Sequence, residues 1–228
     1  KTPLRLTKTR LEGRVLAQTC SNGSSEMMGN LSTSLVSILY NFQLMRLIGE
    51  DGVAAFGVIM YVNFIFIGVF MGYSIGAGPI VSYHYGAGNQ EELRSLLRKS
   101  LLLMLAGCAG LTAAAVGMAF PLSRIFVSYD ADLLALTARG FRLYALSFLA
   151  MGFNIFGSAF FTALGNGVLS AAIAFLRTLL FQTAAIFVLP LFLGLDGIWL
   201  AVTAAEVLTL AVTVLFLLTQ RRRYGYGG

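Results

Sequence analysis

Six apolar runs, at roughly residues 25–48, 53–83, 96–127, 133–164, 168–193 and 198–218, set the terms for this chain. Each is about 20 residues or longer, the length a helix needs to cross a hydrocarbon core of about 30 Å. Backbone N–H and C=O groups find no water in lipid, so such runs must close their hydrogen bonds internally as helices. The alternating ten-residue pattern of a barrel is not seen. Of 228 residues, 57% are hydrophobic and 11% charged, against about 25% charged in a soluble domain. The expected fold class is an all-α integral membrane protein, a bundle of six transmembrane helices. Residues 1–20 are expected to form a basic cytoplasmic linker or the tail of a surface helix, 21–220 the membrane lobe and 221–228 a basic cytoplasmic tail.

The net charge of +6 would suit a nucleic-acid partner, but its placement argues for a bilayer instead. Lys1, Arg5, Lys8, Arg10 and Arg14 precede the first span, Arg94, Arg98 and Lys99 lie between the second and third, and Arg221, Arg222 and Arg223 follow the sixth. If the spans alternate, all of these fall on one side. The other side receives Glu50, Asp51, Asp130, Asp132 and Asp196, with Arg46, Arg124, Arg139 and Arg142 near span ends. The positive-inside rule then makes both termini cytoplasmic. Lys1 opens the chain without a signal-peptide arrangement, and the sequence is expected to continue a longer protein. Cys20 and Cys108 are read as small helix-packing residues; they support neither a disulfide frame nor a metal site.

The glycine-rich stretch GYSIGAGPIVSYHYGAGNQEELRSLLRK, residues 72–99, raises the question of a phosphate-cradling loop. A dinucleotide fingerprint needs G-x-G-x-x-G between a strand and a helix. Here Gly78 is followed by Pro79, Val81 stands where the third glycine belongs, and a long apolar helix precedes. The stretch therefore reads as a helix end: Gly76, Gly78 and Pro79 permit a hinge or kink, and Gly68 and Gly72 leave room for close helix approach. His84, between Tyr83 and Tyr85, reads as part of an interfacial belt. Turns at Gly49-Glu50-Asp51-Gly52 and Gly194-Leu195-Asp196-Gly197 share a G-x-D-G pattern on one side of the membrane.

A polar side chain in lipid is costly, so its position tells which helix face meets protein or water. At 3.6 residues per turn, Glu26, Asn30, Thr33, Ser34, Ser37 and Asn41 fall within an arc of roughly 100° on the first span. Ser147, Asn154, Ser158 and Thr162 fall within roughly 80° on the fourth. Asn63 and Ser74 share one side of the second. These stripes suit either the wall of a common cavity or hydrogen bonding between helices. Arg177 and Glu206 are the strongest intramembrane charges; a depth difference of roughly 6 Å, at 1.5 Å per residue, would let them pair or act independently on a substrate or cation. No metalloprotease, serine-hydrolase, Walker or Cys/His arrangement is seen, and the chain is not expected to be an enzyme.

The order of these features resembles the second half of a MATE (multidrug and toxic compound extrusion) transporter, nearest its MepA/DinF-like branch. The matching residues are Asn22-Gly23-Ser24-Ser25-Glu26 opening a polar first helix that also carries Asn41, then Gly76-Ala77-Gly78-Pro79 and Ser82-Tyr83-His84-Tyr85-Gly86-Ala87-Gly88-Asn89. Ala163-Leu164-Gly165-Asn166-Gly167 follows before Arg177, and Gly194-Leu195-Asp196-Gly197-Ile198-Trp199-Leu200-Ala201 leads to Glu206. The resemblance implies the C-terminal six-helix lobe of a twelve-helix antiporter in a plasma membrane (a bacterial inner membrane), whose missing N-terminal lobe is its partner. It implies efflux of amphipathic cationic small molecules against inward sodium or protons, with no other cofactor. Glu26, Asn30, Ser34, Ser37, Asn41, Asn63 and Asn154 would be the cavity residues for substrate or cation. Sodium-coupled members resembling NorM carry an acidic residue on the fourth helix of this lobe, where this chain has Asn154. A lipid or lipid-linked sugar flippase of the same superfamily and a non-transporting six-helix partner subunit are the competing readings.

Overall fold

The computed structural model describes residues 12–226, apart from the side chains at positions 21, 22, 24–26 and 28. Its helices are α1 (Gly13–Leu47), α2 (Glu50–Gly86), α3 (Gln90–Val127), α4 (Ala131–Ala145), α5 (Phe148–Ala163), α6 (Gly167–Phe175), α7 (Thr183–Leu193) and α8 (Leu195–Tyr224), with a π-helical segment, Leu176–Gln182, joining α6 to α7. Strands do not occur among the described residues, and every apolar run has become a helix, as the absence of water in lipid requires.

Four continuous helical stretches are long and apolar enough to cross a membrane: α2, α3, Gly167–Leu193 and α8. The α4–α5 pair makes a fifth, bent by 49°. At 35 residues α1 is long enough to be the sixth, but it is less apolar than the others because one of its faces is polar. It also begins at Gly13, so part of what was expected to be a linker is helix. At the other end, α8 extends through the basic run to Tyr224, within the expected tail.

The fourth span expected at 133–164 is made of two helices that meet at a bend of 49°. Around Leu146 and Ser147 the backbone switches to i→i+3 bonds: Leu146 N to Leu143 O (3.4 Å), Ser147 N to Tyr144 O (2.9 Å) and Leu149 N to Leu146 O (3.2 Å). Such tightening is one way a helix changes direction without proline. Phe148, fully buried just beyond the break, stacks on Phe66 at 5.2 Å and meets Tyr144 edge-on at 6.1 Å. Dense aromatic packing thereby fixes the angle at which α5 enters the core.

Helix ends converge at two poles. At the basic pole Ser82 Oγ donates to Ala163 O (2.8 Å), Asn166 Nδ2 donates to Tyr224 Oη (2.8 Å), and Asn166 Oδ1 caps α6 by accepting from Leu169 N (3.2 Å). His84 meets Tyr83 edge-on at 5.4 Å. At the acidic pole Tyr40 Oη donates to Ile198 O (2.7 Å), and Arg139 pairs with Asp196 at 2.5 Å. The latter pair is exposed, so it contributes about 0–1 kcal/mol. Gly194 turns the chain into α8 with φ +56, a left-handed conformation that favours glycine.

Close helix approach occurs elsewhere than expected. Nothing lies within 4 Å of a Cβ built on Gly68, Gly72, Gly76 or Gly78, and α2 continues unbroken through Pro79. The tight contacts are at Gly140, where a Cβ would sit 2.8 Å from the Trp199 ring, and at Gly152, where it would sit 2.7 Å from both Cys108 Sγ and the Phe70 ring. Cys108 is therefore a packing residue in the core, whereas Cys20 is exposed on α1. Gly140→Val and Gly152→Val should each destabilise the protein by about 1–3 kcal/mol through overpacking. Gly72→Ala should change little; thermal unfolding of the purified protein in detergent separates the two cases.

Candidate functional site

The site is assembled around one amide. Asn154 on α5 is completely buried; its Nδ2 donates to Glu206 Oε2 (2.7 Å) and to the Glu206 backbone O (2.9 Å) on α8. Its Oδ1 accepts from Thr213 Oγ1 (2.9 Å), two turns further along α8. The helices come this close because α5 has Gly157 there: a Cβ at that position would collide with the Thr213 methyl group. Glu206 is turned away from open space, and its other oxygen, Oε1, stands 3.7 Å from Arg177 Nε. A carboxylate far from water is thus held by an amide on one side and a guanidinium on the other.

Arg177 is carried by the π-helical segment Leu176–Gln182. A π-helix closes i→i+5 bonds and widens the turn, a departure from α-geometry often found at functional sites. Here the consecutive residues Arg177 and Thr178 both reach the wall of one cavity. That cavity, about 710 Å³, lies between α1, α2, α5, α6 and the π-helical segment. Its apolar lining includes Phe64, Ile67, Met71 and Ile75 of α2 with Ile155 of α5 and Ile173 of α6; its polar lining includes Asn30, Thr33, Ser74, Ser158 and Ser170. Ser158 and Ser170 share a hydrogen bond of 2.8 Å, and Thr162 Oγ1 donates to Ser170 Oγ at 2.7 Å, tying α5 to α6 along that wall.

The structure brings together part of the residue set expected from the sequence. Asn30, Thr33, Ser74, Asn154, Ser158, Thr162 and Arg177 meet at the cavity, with Gly78 at its edge. Glu206 lies behind Asn154 and Arg177 instead of at the surface of the cavity. Ser34, Ser37 and Asn41 do not line it: Ser34 Oγ donates to Asn30 O (3.1 Å), Asn41 Nδ2 donates to Ser37 O (2.9 Å), and this part of the stripe lies along the outer face of α1. Asn63 is buried away from the cavity, its Oδ1 without a partner among the described residues. The side chain of Glu26 lies outside the described residues.

Thr213, Ser170 and Thr178 were not picked out from the sequence. The first two had a signal: Thr213 follows Glu206 by seven residues, and Ser170 precedes Arg177 by seven, so each pair shares a helix face. Thr178 had none, because at α-helical spacing it points away from the direction of Arg177.

A bundle of apolar spans, one of them bent, around a mixed polar and apolar cavity is the arrangement of one lobe of a membrane transporter fold. The family model MatE matches residues 27–188. The chain belongs to this family and is a multi-pass membrane protein. Among solved structures, the outward-facing conformation of a multidrug resistance MATE family transporter of the MOP superfamily is similar at TM-score 0.90 and 19% identity, covering 98% of this chain and 50% of that one. A MATE in complex with MaL6 gives TM-score 0.87 at 19% identity over 96% and 49%. The Vibrio cholerae MATE transporter VcmN in the bent form gives 0.86 at 17% over 96% and 50%. The chain thus spans about half the length of the structures it matches. Comparison with curated proteins gives no match.

Asn154→Leu should lower stability by about 1–3 kcal/mol, because it orphans a buried carboxylate oxygen and the Thr213 hydroxyl together. Thr213→Val, which leaves the Asn154 to Glu206 bonds in place, should cost less. Thermal unfolding in detergent orders the two variants.

Proposed function

We propose that this chain is the C-terminal six-helix lobe of a secondary multidrug antiporter that expels amphipathic organic compounds, cations among them, in exchange for inward sodium or protons. The observation that carries this reading is the cavity of about 710 Å³ lined by apolar and polar side chains together. Its volume lies within the roughly 300–1,000 Å³ typical of small-molecule sites, and its walls suit an amphipathic guest. Membership of the MatE family and the half-length match to transporters of that fold support the same reading.

The exposed Ser34 and Ser37, with the half-buried Asn41, on α1 are then the face presented to a second six-helix lobe. Two such lobes, related by an axis along the membrane normal, would rock about the central cavity to give alternating access. The basic pole would lie on the cytoplasmic side, with both termini there, by the positive-inside rule; a bacterial inner membrane is the proposed location. Glu26, one turn before Asn30 on α1, is the proposed cation-attracting carboxylate, while Gly76, Gly78 and Pro79 are the proposed flexible end of α2. A flippase for lipids or lipid-linked sugars is the second reading, favoured by one observation: the charged side chain on the described cavity wall is Arg177, which suits a phosphate.

Efflux of a fluorescent organic cation from proteoliposomes tests the proposal, comparing this chain alone, the chain joined to a matching N-terminal lobe, and the joined form carrying Glu26→Gln. Ion-gradient-driven efflux by the joined form alone, lost in Glu26→Gln with folding retained, is expected. A folded joined protein that moves no organic cation under sodium or proton gradients contradicts it.

A further inference from the structure

We propose that a groove at the basic pole, between α3, α5 and the segment after α8, binds one anionic phospholipid. Arg94 and Arg98 hold its phosphate, and an acyl chain lies along the leucines that follow. The groove is separate from the central cavity, and the inference does not rest on the transport reading.

Three observations carry it. First, the two arginines are spaced to share a ligand. They stand four residues apart on α3, so they leave the helix on one face with Cβ atoms about 5–6 Å apart. Both are exposed, and among the described residues neither makes an ion pair or a hydrogen bond, although Glu91 and Glu92 stand within a turn of Arg94. Their donors are therefore open to a guest.

Secondly, charge gives way to apolar surface in the direction a lipid requires. Leu97, Leu101 and Leu105 follow one another at the same spacing of four, Leu102 stands one turn past Arg98, and all of them line one groove of about 430 Å³ with the two arginines. At 1.5 Å per residue Leu105 lies about 16 Å beyond Arg94, close to the roughly 15 Å depth of hydrocarbon in one leaflet. Leu102 and Leu105 are each 58% exposed, so this surface is open to a chain.

Thirdly, the groove has a second wall, which a bare helix surface lacks. Phe153 of α5 and Tyr226 complete its lining. Beyond α8 the chain turns back, and the buried Tyr226 is tethered there: its hydroxyl donates to Leu217 O (3.0 Å), and its ring meets Phe160 edge-on at 5.4 Å.

A guanidinium presents its donors in a planar fork that suits phosphate oxygens. Basic pockets between transmembrane helices hold anionic headgroups for this reason. A zwitterionic headgroup would bring a cation to the same two arginines, so the net charge of the lipid decides the preference. Arginines scattered over an interface attract a leaflet without fixing any one molecule; a walled groove with an apolar continuation fixes one.

Native mass spectrometry of the purified chain, titrated in detergent with phosphatidylglycerol or with phosphatidylcholine of the same acyl chains, tests the proposal. The wild-type protein should bind one phosphatidylglycerol roughly tenfold or more tightly than phosphatidylcholine. Arg94→Gln/Arg98→Gln should lose that preference, whereas Arg221→Gln/Arg222→Gln, which removes as much charge from the same pole outside the groove, should keep it. Leu102→Trp, which fills the open groove with both arginines in place, should weaken phosphatidylglycerol binding. Equal affinity for the two lipids in the wild type overturns the site, as does a preference that survives Arg94→Gln/Arg98→Gln or falls equally in Arg221→Gln/Arg222→Gln. Unchanged binding by Leu102→Trp overturns the seat for the chain, and displacement of the lipid by millimolar inorganic phosphate overturns the proposal in favour of a free anion.

Discussion

A carboxylate buried between helices is the constraint around which this lobe is arranged. Glu206 has left water, and the cost of that transfer is offset only if its oxygens find partners. Asn154 supplies one from α5 at 2.7 Å, and Arg177 faces the other from the π-helical segment at 3.7 Å. Three spans are thereby held in register at one depth. The amide is itself completed by Thr213, so the polar groups of Glu206, Asn154 and Thr213 are linked to one another instead of being left in hydrocarbon.

Packing and function share the same elements. Gly157 lets α5 and α8 approach closely enough for the Asn154 contacts, while the bend at Leu146–Ser147 aims α5 toward them. The π-helical turn then sets Arg177 and Thr178 on the cavity wall. Along α2, Gly68, Gly72, Gly76 and Gly78 all meet open space, and of these Gly78 lines the cavity. The lobe is dense where α5 meets α3 and α8 and open where α1 and α2 face outward, the division expected of a half that meets a second body.

Much of the architecture was legible in the sequence, because length and apolarity alone decide which segments become spans. The meeting of Arg177 with Glu206 was legible as one of two alternatives from their depths, and Asn154 was visible on its polar stripe. The bend in the fourth span was not, since it contains neither proline nor glycine at the break and arises from aromatic packing of Phe148 against Phe66 and Tyr144. The polar stripe of α1 was visible, but its division between cavity residues and outward-facing ones depends on how far α6 extends along it. Glycine-based expectations erred for a related reason: a small residue shows where close approach is allowed, and only the partner helix determines where it occurs.

A double-mutant cycle on Arg177 and Glu206 tests the central claim most directly. Thermal stability in detergent would be measured for Arg177→Gln, Glu206→Gln and the two combined. Arg177→Gln leaves the buried Glu206 carboxylate without its counter-charge and should cost about 3–5 kcal/mol; Glu206→Gln leaves a guanidinium that is partly exposed on the cavity wall and should cost less. The combined variant should be more stable than either single one, giving a coupling well outside the error of additivity, about 0.3–0.5 kcal/mol. Costs that simply add would mean that the two charges act independently, and that the buried carboxylate does not organise the lobe.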